Sequence, residues 1–192
     1  RIFDAQGAPA TPDQIIDSLA DKNALFLGEN HDDAVAHRLQ ADIFRRAFLK
    51  YGKDRKLALS LEMFERDVQT VLDEYLKNLI TEKKFLDDSR PWRNYQTDYK
   101  PLLEFAKTNN LPVIAANAPR RYVNMVSRGG RDSLDALSPA AKSWLAPLPF
   151  GEPSEAYAKK FKGLMGGMPE STANALDRIL ASQSLWDATM AY

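Results

Sequence analysis

Five polar or charged side chains follow short apolar runs of the chain, and their types could bind a ligand or a metal ion. They are Glu29, His31, Glu62, Asn117 and Arg120. The first two follow the apolar segment 24–27, the third ends the segment 57–61, and the last two follow the segment 113–116. If these segments are parallel strands, their carboxyl ends meet at one edge of a sheet, where ligands bind in open parallel sheets. We therefore expect the five side chains to face one cleft.

This set is compatible with metal chemistry or with a charged pocket. Glu29, His31 and Glu62 would provide mixed oxygen and nitrogen ligands for a hard or borderline metal ion. A metal-dependent hydrolase, with a Glu as base or ligand, is therefore one hypothesis. The other histidine, His37, does not have the spacing of a two-histidine zinc motif, and we interpret it as a partly buried helix residue. Without a ligand, Arg120 is expected to pair with Glu29 or Glu62, because buried carboxylates need compensation.

Aromatic residues concentrate in the segment 91–101, which contains Trp92, Tyr95 and Tyr99. Such a segment is typical of core contacts or a lid, and it could also form a flat wall for a large planar ligand. A tyrosine phenolate could bind ferric iron there. Guanidinium groups suit carboxylates such as haem propionates, and four arginines lie close together in the sequence: Arg120, Arg121, Arg128 and Arg131. Gln183 and Asp187, four residues apart, share a helix face and could line the same pocket.

Composition excludes several classes of protein. The 192 residues contain 26 Lys and Arg against 26 Asp and Glu, so no net field attracts nucleic acid, and we expect no nucleic-acid partner. The chain has no cysteine, which excludes disulfides, thiolate-bound zinc, iron–sulfur clusters and a thiol nucleophile. No apolar run is long enough for a transmembrane segment. We expect one domain over residues 1–192.

The order of elements predicts an α/β fold with a parallel sheet flanked by helices. Strands are predicted at the three apolar segments, and a helix from residue 32 to about 51. A helical insertion separates the second and third strands, and the C-terminal part is mostly helical, with a hinge at 166–169 and a last helix from about 170. Because parallel sheets usually have more than three strands, we expect the domain to lack its C-terminal strand and helix portion.

Five segments resemble a known family, in the family's order. They are Gly-Glu-Asn-His-Asp at 28–32, Leu-Glu-Met-Phe at 61–64, Asp-Tyr-Lys-Pro-Leu at 98–102, Ala-Asn-Ala-Pro-Arg at 116–120, and Gln-Ser-Leu-Trp-Asp-Ala-Thr-Met-Ala at 183–191. Together they resemble the ChaN-like haem-binding uptake proteins of the Tiki and erythromycin-esterase-like superfamily. The resemblance implies haem as cofactor and a non-catalytic role in haem or iron uptake or handling.

The resemblance also implies that a tyrosine binds the haem iron. Tyr99 and Tyr95 are the candidates, and Tyr122 and Tyr192 are alternatives. It further implies a homodimer with two stacked haems, or a subunit of a larger complex, in a lipoprotein or otherwise membrane-associated protein. The compartments it favours are the bacterial cell envelope and the plastid or thylakoid. A second alternative to haem binding, besides hydrolysis, is a structural subunit of a larger assembly that retains the fold without the ligand.

Overall fold

The fold is described from a computed structural model, which describes residues 1–165 and 173–192. The protein is 57% helical with a small parallel sheet flanked by helices, so the predicted α/β class is confirmed. The strands are β1 (Ile2–Phe3), β2 (Pro9–Ala10), β3 (Leu59–Glu65) and β4 (Val113–Asn117). Strands β1 and β2 form an antiparallel pair, and β3 lies beside β4 in the parallel sheet.

Helices make up most of the remaining structure. They are α1 (Pro12–Asp17), α2 (Ala34–Tyr51), α3 (Gln69–Leu76), α4 (Glu82–Ser89), α5 (Lys100–Thr108), α6 (Arg120–Gly129), α7 (Pro139–Lys142), α8 (Glu155–Leu164) and α9 (Ala173–Ala191). Short 3₁₀ helices cover Arg66–Val68 and Arg131–Ala136, and a π-helix covers Tyr95–Tyr99. The predicted helical insertion and the mostly helical C-terminal part are both present. The predicted hinge at 166–169 and the first residues of the predicted last helix, 170–172, lie outside the described residues.

The chain forms two compact units. The first contains Arg1–Leu59 and Pro91–Val113, and the second contains Ser60–Arg90 and Ile114–Tyr192. Each unit has its own apolar cluster. Ile16, Ile43 and Ala47 are buried in the first. In the second, Val126 of α6 and Leu185 of α9 are fully buried in a larger cluster. The single-domain interpretation with a missing C-terminal portion stays a prediction.

Helix α2 forms where the sequence predicts it. Asp33 caps its N-terminus, because the carboxylate accepts hydrogen bonds from the backbone N–H groups of Val35 (2.8 Å) and Ala36 (3.2 Å). Ile43 and Ala47 are four residues apart, as expected for neighbours on one face, and both are buried. His37 occupies the buried face as well, although we expected it to be only partly buried. The imidazole of His37 therefore points into the interior of the first unit.

The predicted strand at 24–27 is wrong. These residues have no regular structure, and Leu25, Phe26 and Leu27 are exposed, with Phe26 89% accessible. A run of four apolar residues fits a strand, a buried helical segment or an exposed apolar segment, and periodicity cannot distinguish them. Glu29 and His31 therefore follow an exposed apolar segment and do not follow a strand.

The second predicted strand lies further along the chain than expected. Strand β3 runs through Met63 and Phe64 to Glu65, so Glu62 occupies its middle and not its end. Successive side chains alternate between the faces of a strand, and Glu62 lies on the exposed face, opposite the buried Leu61 and Met63. The third predicted strand is confirmed, since β4 ends at Asn117. Among the described helices, none is long and apolar enough to cross a bilayer.

Candidate functional site

A compact polar cluster in the first unit surrounds the carboxylate of Glu29. Its Oε1 accepts hydrogen bonds from the Tyr99 hydroxyl and from Nδ1 of His31, the latter over 3.0 Å. Its Oε2 accepts a bond from Nε2 of Gln40 over 2.7 Å. The carboxylate thus joins the loop before α2, helix α2 itself and the π-helix, which are three separate parts of the sequence. The link from Glu29 to Tyr99 spans 70 residues.

These hydrogen bonds keep Glu29 ionised. Its side chain is only 13% exposed, and this burial alone would raise its pKa. The hydrogen bonds from Tyr99, Gln40 and His31 act in the opposite direction and outweigh the burial, so the pKa of Glu29 lies below its ordinary value of 4.5. The first unit therefore holds a largely buried negative charge at neutral pH.

His37 fixes the loop that carries His31. The residue is 2% exposed, and its Nε2 donates to the backbone carbonyl of His31 over 3.1 Å. Nδ1 lies 3.1 Å from Oε1 of Gln40 and 3.4 Å from Oε2 of Glu29. The same His31 carbonyl accepts a second hydrogen bond, from Nδ2 of Asn94 over 2.6 Å. His37 and Asn94 together hold the backbone of the loop in place.

The π-helix positions the remaining members of the cluster. Asn94, directly before it, also donates to Oδ2 of Asp98 over 2.7 Å. That Asp98 oxygen lies 4.0 Å from Nε2 of His37. The Tyr99 ring packs against the His37 ring with centroids 4.5 Å apart, and against Trp92 at 5.6 Å. Sequence reasoning did not identify Gln40, Asn94 or Asp98 as part of a site.

The two tyrosines favoured from the sequence lie in the interior. Tyr95 is 2% exposed and Tyr99 is 3% exposed. The hydroxyl of Tyr95 is buried, and that of Tyr99 donates to Glu29. Neither hydroxyl is at the surface, so binding to haem iron would require the side chain to move. The assignment of Tyr99 or Tyr95 as iron ligand stays a prediction.

His31 is the accessible member of the cluster. Its side chain is 56% exposed, and Trp92 meets its ring edge-on with centroids 4.3 Å apart. Nδ1 faces Glu29, whereas Nε2 has no polar partner among residues 1–165 and 173–192. The exposed apolar segment 25–27 directly precedes this part of the loop. The first unit therefore presents an imidazole nitrogen, an aromatic ring and apolar side chains at its surface.

The other predicted site residues belong to the second unit. Asn117 is buried, and its Oδ1 accepts a hydrogen bond from the N–H of Ala118 over 2.9 Å, which is the local bond expected at a turn. Gln183 donates to Asp187 on α9 over 3.2 Å, which fits two residues four apart on one helix face, and their role in lining a pocket stays a prediction. Asp187 also accepts a hydrogen bond from the exposed Tyr157 over 3.0 Å. That these residues share a cleft with Glu29 and His31 stays a prediction.

Within the described part of the second unit, Arg121 and not Arg120 pairs with a carboxylate. The expected pairing of Arg120 with Glu29 stays a prediction. Arg120 lies exposed in the first turn of α6, and in the described part of the second unit it forms no ion pair with Glu62. Arg121 instead pairs with Asp67, whose other oxygen accepts a hydrogen bond from Arg90 over 2.6 Å. Within a helix turn, adjacent arginines point in different directions. The sequence alone therefore does not show which of the two arginines, Arg120 or Arg121, contacts the carboxylate of Asp67.

The described residues give no support to a metal site formed by protein ligands alone. Across residues 1–165 and 173–192, no group of three or more His, Asp or Glu side chains is placed to hold a metal ion. Glu62, the third member of the expected set, points from the middle of β3 to the exposed face. The side chains instead provide one accessible histidine with a carboxylate behind it.

Comparisons with known proteins agree with the sequence resemblance. A solved structure of ChaN of Campylobacter jejuni, described as cofacial heme binding, matches with a TM-score of 0.74 at 19% identity, covering 97% of this chain and 71% of that one. A chloroplastic RETICULATA-RELATED 5 protein of Arabidopsis thaliana is 27% identical over an alignment of 144 residues that covers 68% of this chain. The chain thus spans about a fifth of the length of that relative. The model of the haem-binding uptake family ChaN, of the Tiki superfamily, matches residues 15–192, and the chain belongs to this family.

Proposed function

We propose that this chain binds haem at the exposed surface of its first unit. The observation that carries the proposal is the continuous stretch from Leu25 to His31. It places three exposed apolar side chains a few residues before an accessible imidazole that is backed by a largely buried carboxylate. Exposed apolar residues in a row are unusual and indicate a binding surface. Family membership identifies haem as the ligand to test.

The residues of this surface fit the chemistry of haem. Phe26 and its neighbours would cover a face of the porphyrin, which is large and apolar. Trp92 lies beside His31 and would add an aromatic edge. Arg93, exposed and next in the chain, would pair with a propionate, because guanidinium groups bind carboxylates well. Bound haem would supply the iron, and the protein side chains of this surface would hold the porphyrin and its propionates.

The wider role that we propose is haem or iron uptake or handling. Its support is the family, whose description combines haem binding with uptake. The compartment would be the bacterial cell envelope or a plastid, since one relative is chloroplastic. A homodimer, or membership of a larger complex, would follow if haems stack between chains. The Campylobacter structure is one of cofacial heme binding.

A haemin titration monitored by absorption tests the proposal. The unchanged chain should show a saturable Soret band. The variant Phe26→Ser should bind about tenfold more weakly, because an apolar side chain of this size contributes about 1.5 kcal/mol or more when covered. Leu79→Ser is the matched control. Leu79 is also largely exposed but lies in the second unit, so its replacement should leave the titration unchanged.

Two results would contradict the proposal. One is a titration of the unchanged chain that never saturates, which would favour the structural-subunit alternative. The other is an equal loss of affinity in Phe26→Ser and Leu79→Ser, which would indicate non-specific adsorption of haemin to apolar surface. The hydrolase alternative would gain support only if the purified protein contained a stoichiometric metal ion that haemin did not displace.

A further inference from the structure

The loop before α2 is held mainly by side chains. Among the described residues, the segment 23–32 takes part in one backbone–backbone hydrogen bond, from the N–H of Asp33 to the carbonyl of Asn30 over 2.9 Å. A segment without backbone pairing has large conformational freedom, and a binding surface must lose that freedom before it can hold a ligand. The side chains that fix this loop therefore also fix the surface from Leu25 to His31.

The carbonyl oxygen of His31 is the atom at which two other parts of the first unit hold the loop. Nδ2 of Asn94 lies 2.6 Å from this oxygen, and Nε2 of His37 lies 3.1 Å from it. A carbonyl oxygen has two lone pairs, so the two donors use its full capacity to accept. The loop is thus tied through one atom to α2 and to the residue before the π-helix.

The amide of Asn94 has one orientation that suits its neighbours. Its Nδ2 faces the His31 carbonyl and also lies 2.7 Å from Oδ2 of Asp98. A carbonyl oxygen and an ionised carboxylate oxygen only accept, so the NH₂ group of Asn94, and not its Oδ1, must face both. Asp98 belongs to the π-helix and keeps the amide in place. An Asp side chain at position 94 would have the same shape but no donor.

The held carbonyl limits the movement of the apolar segment that comes shortly before it. Leu25, Phe26 and Leu27 are exposed, Phe26 to 89%. Apolar side chains on a free loop would leave water by packing on nearby protein, since burial of apolar surface is favourable. Asn94 and His37 oppose such a rearrangement, because the backbone only a few residues away is fixed.

We propose that Asn94 is a positioning residue which, with the buried His37, holds the segment 25–31 open for its ligand through the carbonyl of His31. The inference rests on the proposed function, because the surface that is positioned is the one assigned to haem. Asn94 acts through the backbone and needs no contact with the ligand. Loss of its donor leaves the carbonyl with one bond and gives the loop freedom that binding must then remove.

Haemin titrations of the full chain test the inference. Asn94→Ala should bind haemin about fivefold more weakly, as expected for one intramolecular hydrogen bond. Asn94→Asp should bind at least as weakly although it keeps the shape, because it donates nothing and faces Asp98 with a second carboxylate. Asn109→Ala is the matched control. Asn109 is also half-buried in the first unit and donates to a backbone carbonyl, that of Phe105 over 2.8 Å, so its replacement should leave the titration unchanged.

Two further readouts distinguish positioning from a general loss of stability. In the Phe26→Ser background, Asn94→Ala should weaken binding by clearly less than it does alone, because the main side chain that it positions is gone. Fully additive effects would overturn the inference. In the haem-free chain, amide hydrogen exchange at Asp33 should accelerate in Asn94→Ala, whereas the amide of Ile43 in α2 should stay protected. Unchanged exchange at Asp33 would also overturn it.

The outcomes separate this inference from the proposed function. If the unchanged chain binds haemin saturably and Asn94→Asp binds it equally well, the inference is overturned and haem binding stands. If the unchanged chain does not bind haemin saturably, the proposed function fails and the inference fails with it. If no Asn94 variant folds, the side-chain amide protons of Asn94 in the unchanged chain decide. Slow exchange of these protons with solvent supports the inference, and fast exchange overturns it.

Discussion

Removing the Tyr99 hydroxyl should destabilise the first unit in a way that depends on pH. The variant Tyr99→Phe keeps the ring that packs against His37 and Trp92 and removes only the donor to Glu29. A hydrogen bond to a charged group contributes about 1.5 to 3 kcal/mol. Two other donors, Gln40 and His31, remain on the carboxylate. We therefore expect a loss of about 2 kcal/mol at neutral pH, or about 4 to 8 °C in the melting temperature of a chain of this length.

The loss should diminish in acid. The pKa of Glu29 is lowered in the folded protein, so its ionised form adds stability above the ordinary value of 4.5, and this stability is lost as the pH falls through the folded-state pKa. Urea unfolding at neutral and acid pH measures both effects. Tyr157→Phe is the control, since it also removes a tyrosine hydroxyl that donates to a carboxylate, that of Asp187, but at an exposed position. A Tyr99→Phe midpoint equal to that of the unchanged chain, or a loss that does not vary with pH, would refute the reasoning.

Three further variants test other parts of the structure. Glu29→Gln should be less stable than the unchanged chain at neutral pH, and the difference should narrow as the pH falls below 4.5, as measured by urea midpoints across pH. Phe85→Ala should lower the free energy of unfolding by about 3 to 5 kcal/mol, because the fully buried ring stacks on Tyr75 with centroids 4.3 Å apart. Leu79→Ala, at an exposed position, is the control and should change it by less than about 0.5 kcal/mol. Thermal or urea unfolding measures both. Asp67→Asn should lower the unfolding free energy by about 1 kcal/mol at low salt, and the effect should shrink in high salt, since its partners are about half exposed.

Local patterns predicted those elements whose determinants lie close together in the sequence. Helix α2 has a capping Asp33 at its start and buried residues at helical spacing, so its position follows from the chain itself. Strand β4 is a compact apolar run that ends at Asn117, with the first turn of α6 close behind. In both cases residues close together in the sequence indicate where the element lies.

The segment 24–27 shows the limit of such patterns. Its composition fits a buried strand, but a strand forms only where another strand can accept its backbone hydrogen bonds. The sequence does not show whether a partner is present. The segment has no regular structure, and the same apolar side chains are exposed.

The candidate site was predicted only in part for the same reason. Glu29 and His31 are two residues apart, and their pairing could be expected. The bond from Tyr99 to Glu29 crosses 70 residues, and the pair of Arg121 with Asp67 crosses 54. Such contacts depend on how helices pack, which periodicity does not specify. We did not assign His37 to the site, because its spacing from His31 fits no metal motif. Its buried ring instead holds the backbone carbonyl of His31 through a hydrogen bond.

Anomalous diffraction from crystals of the haemin-loaded chain, recorded at the iron absorption edge, tests the central claim most directly. If the chain binds haem at the surface of its first unit, one iron peak should lie beside that surface, with the porphyrin over Leu25, Phe26 and Leu27. An iron peak in the second unit, or protein without bound iron at saturating haemin, would contradict the account.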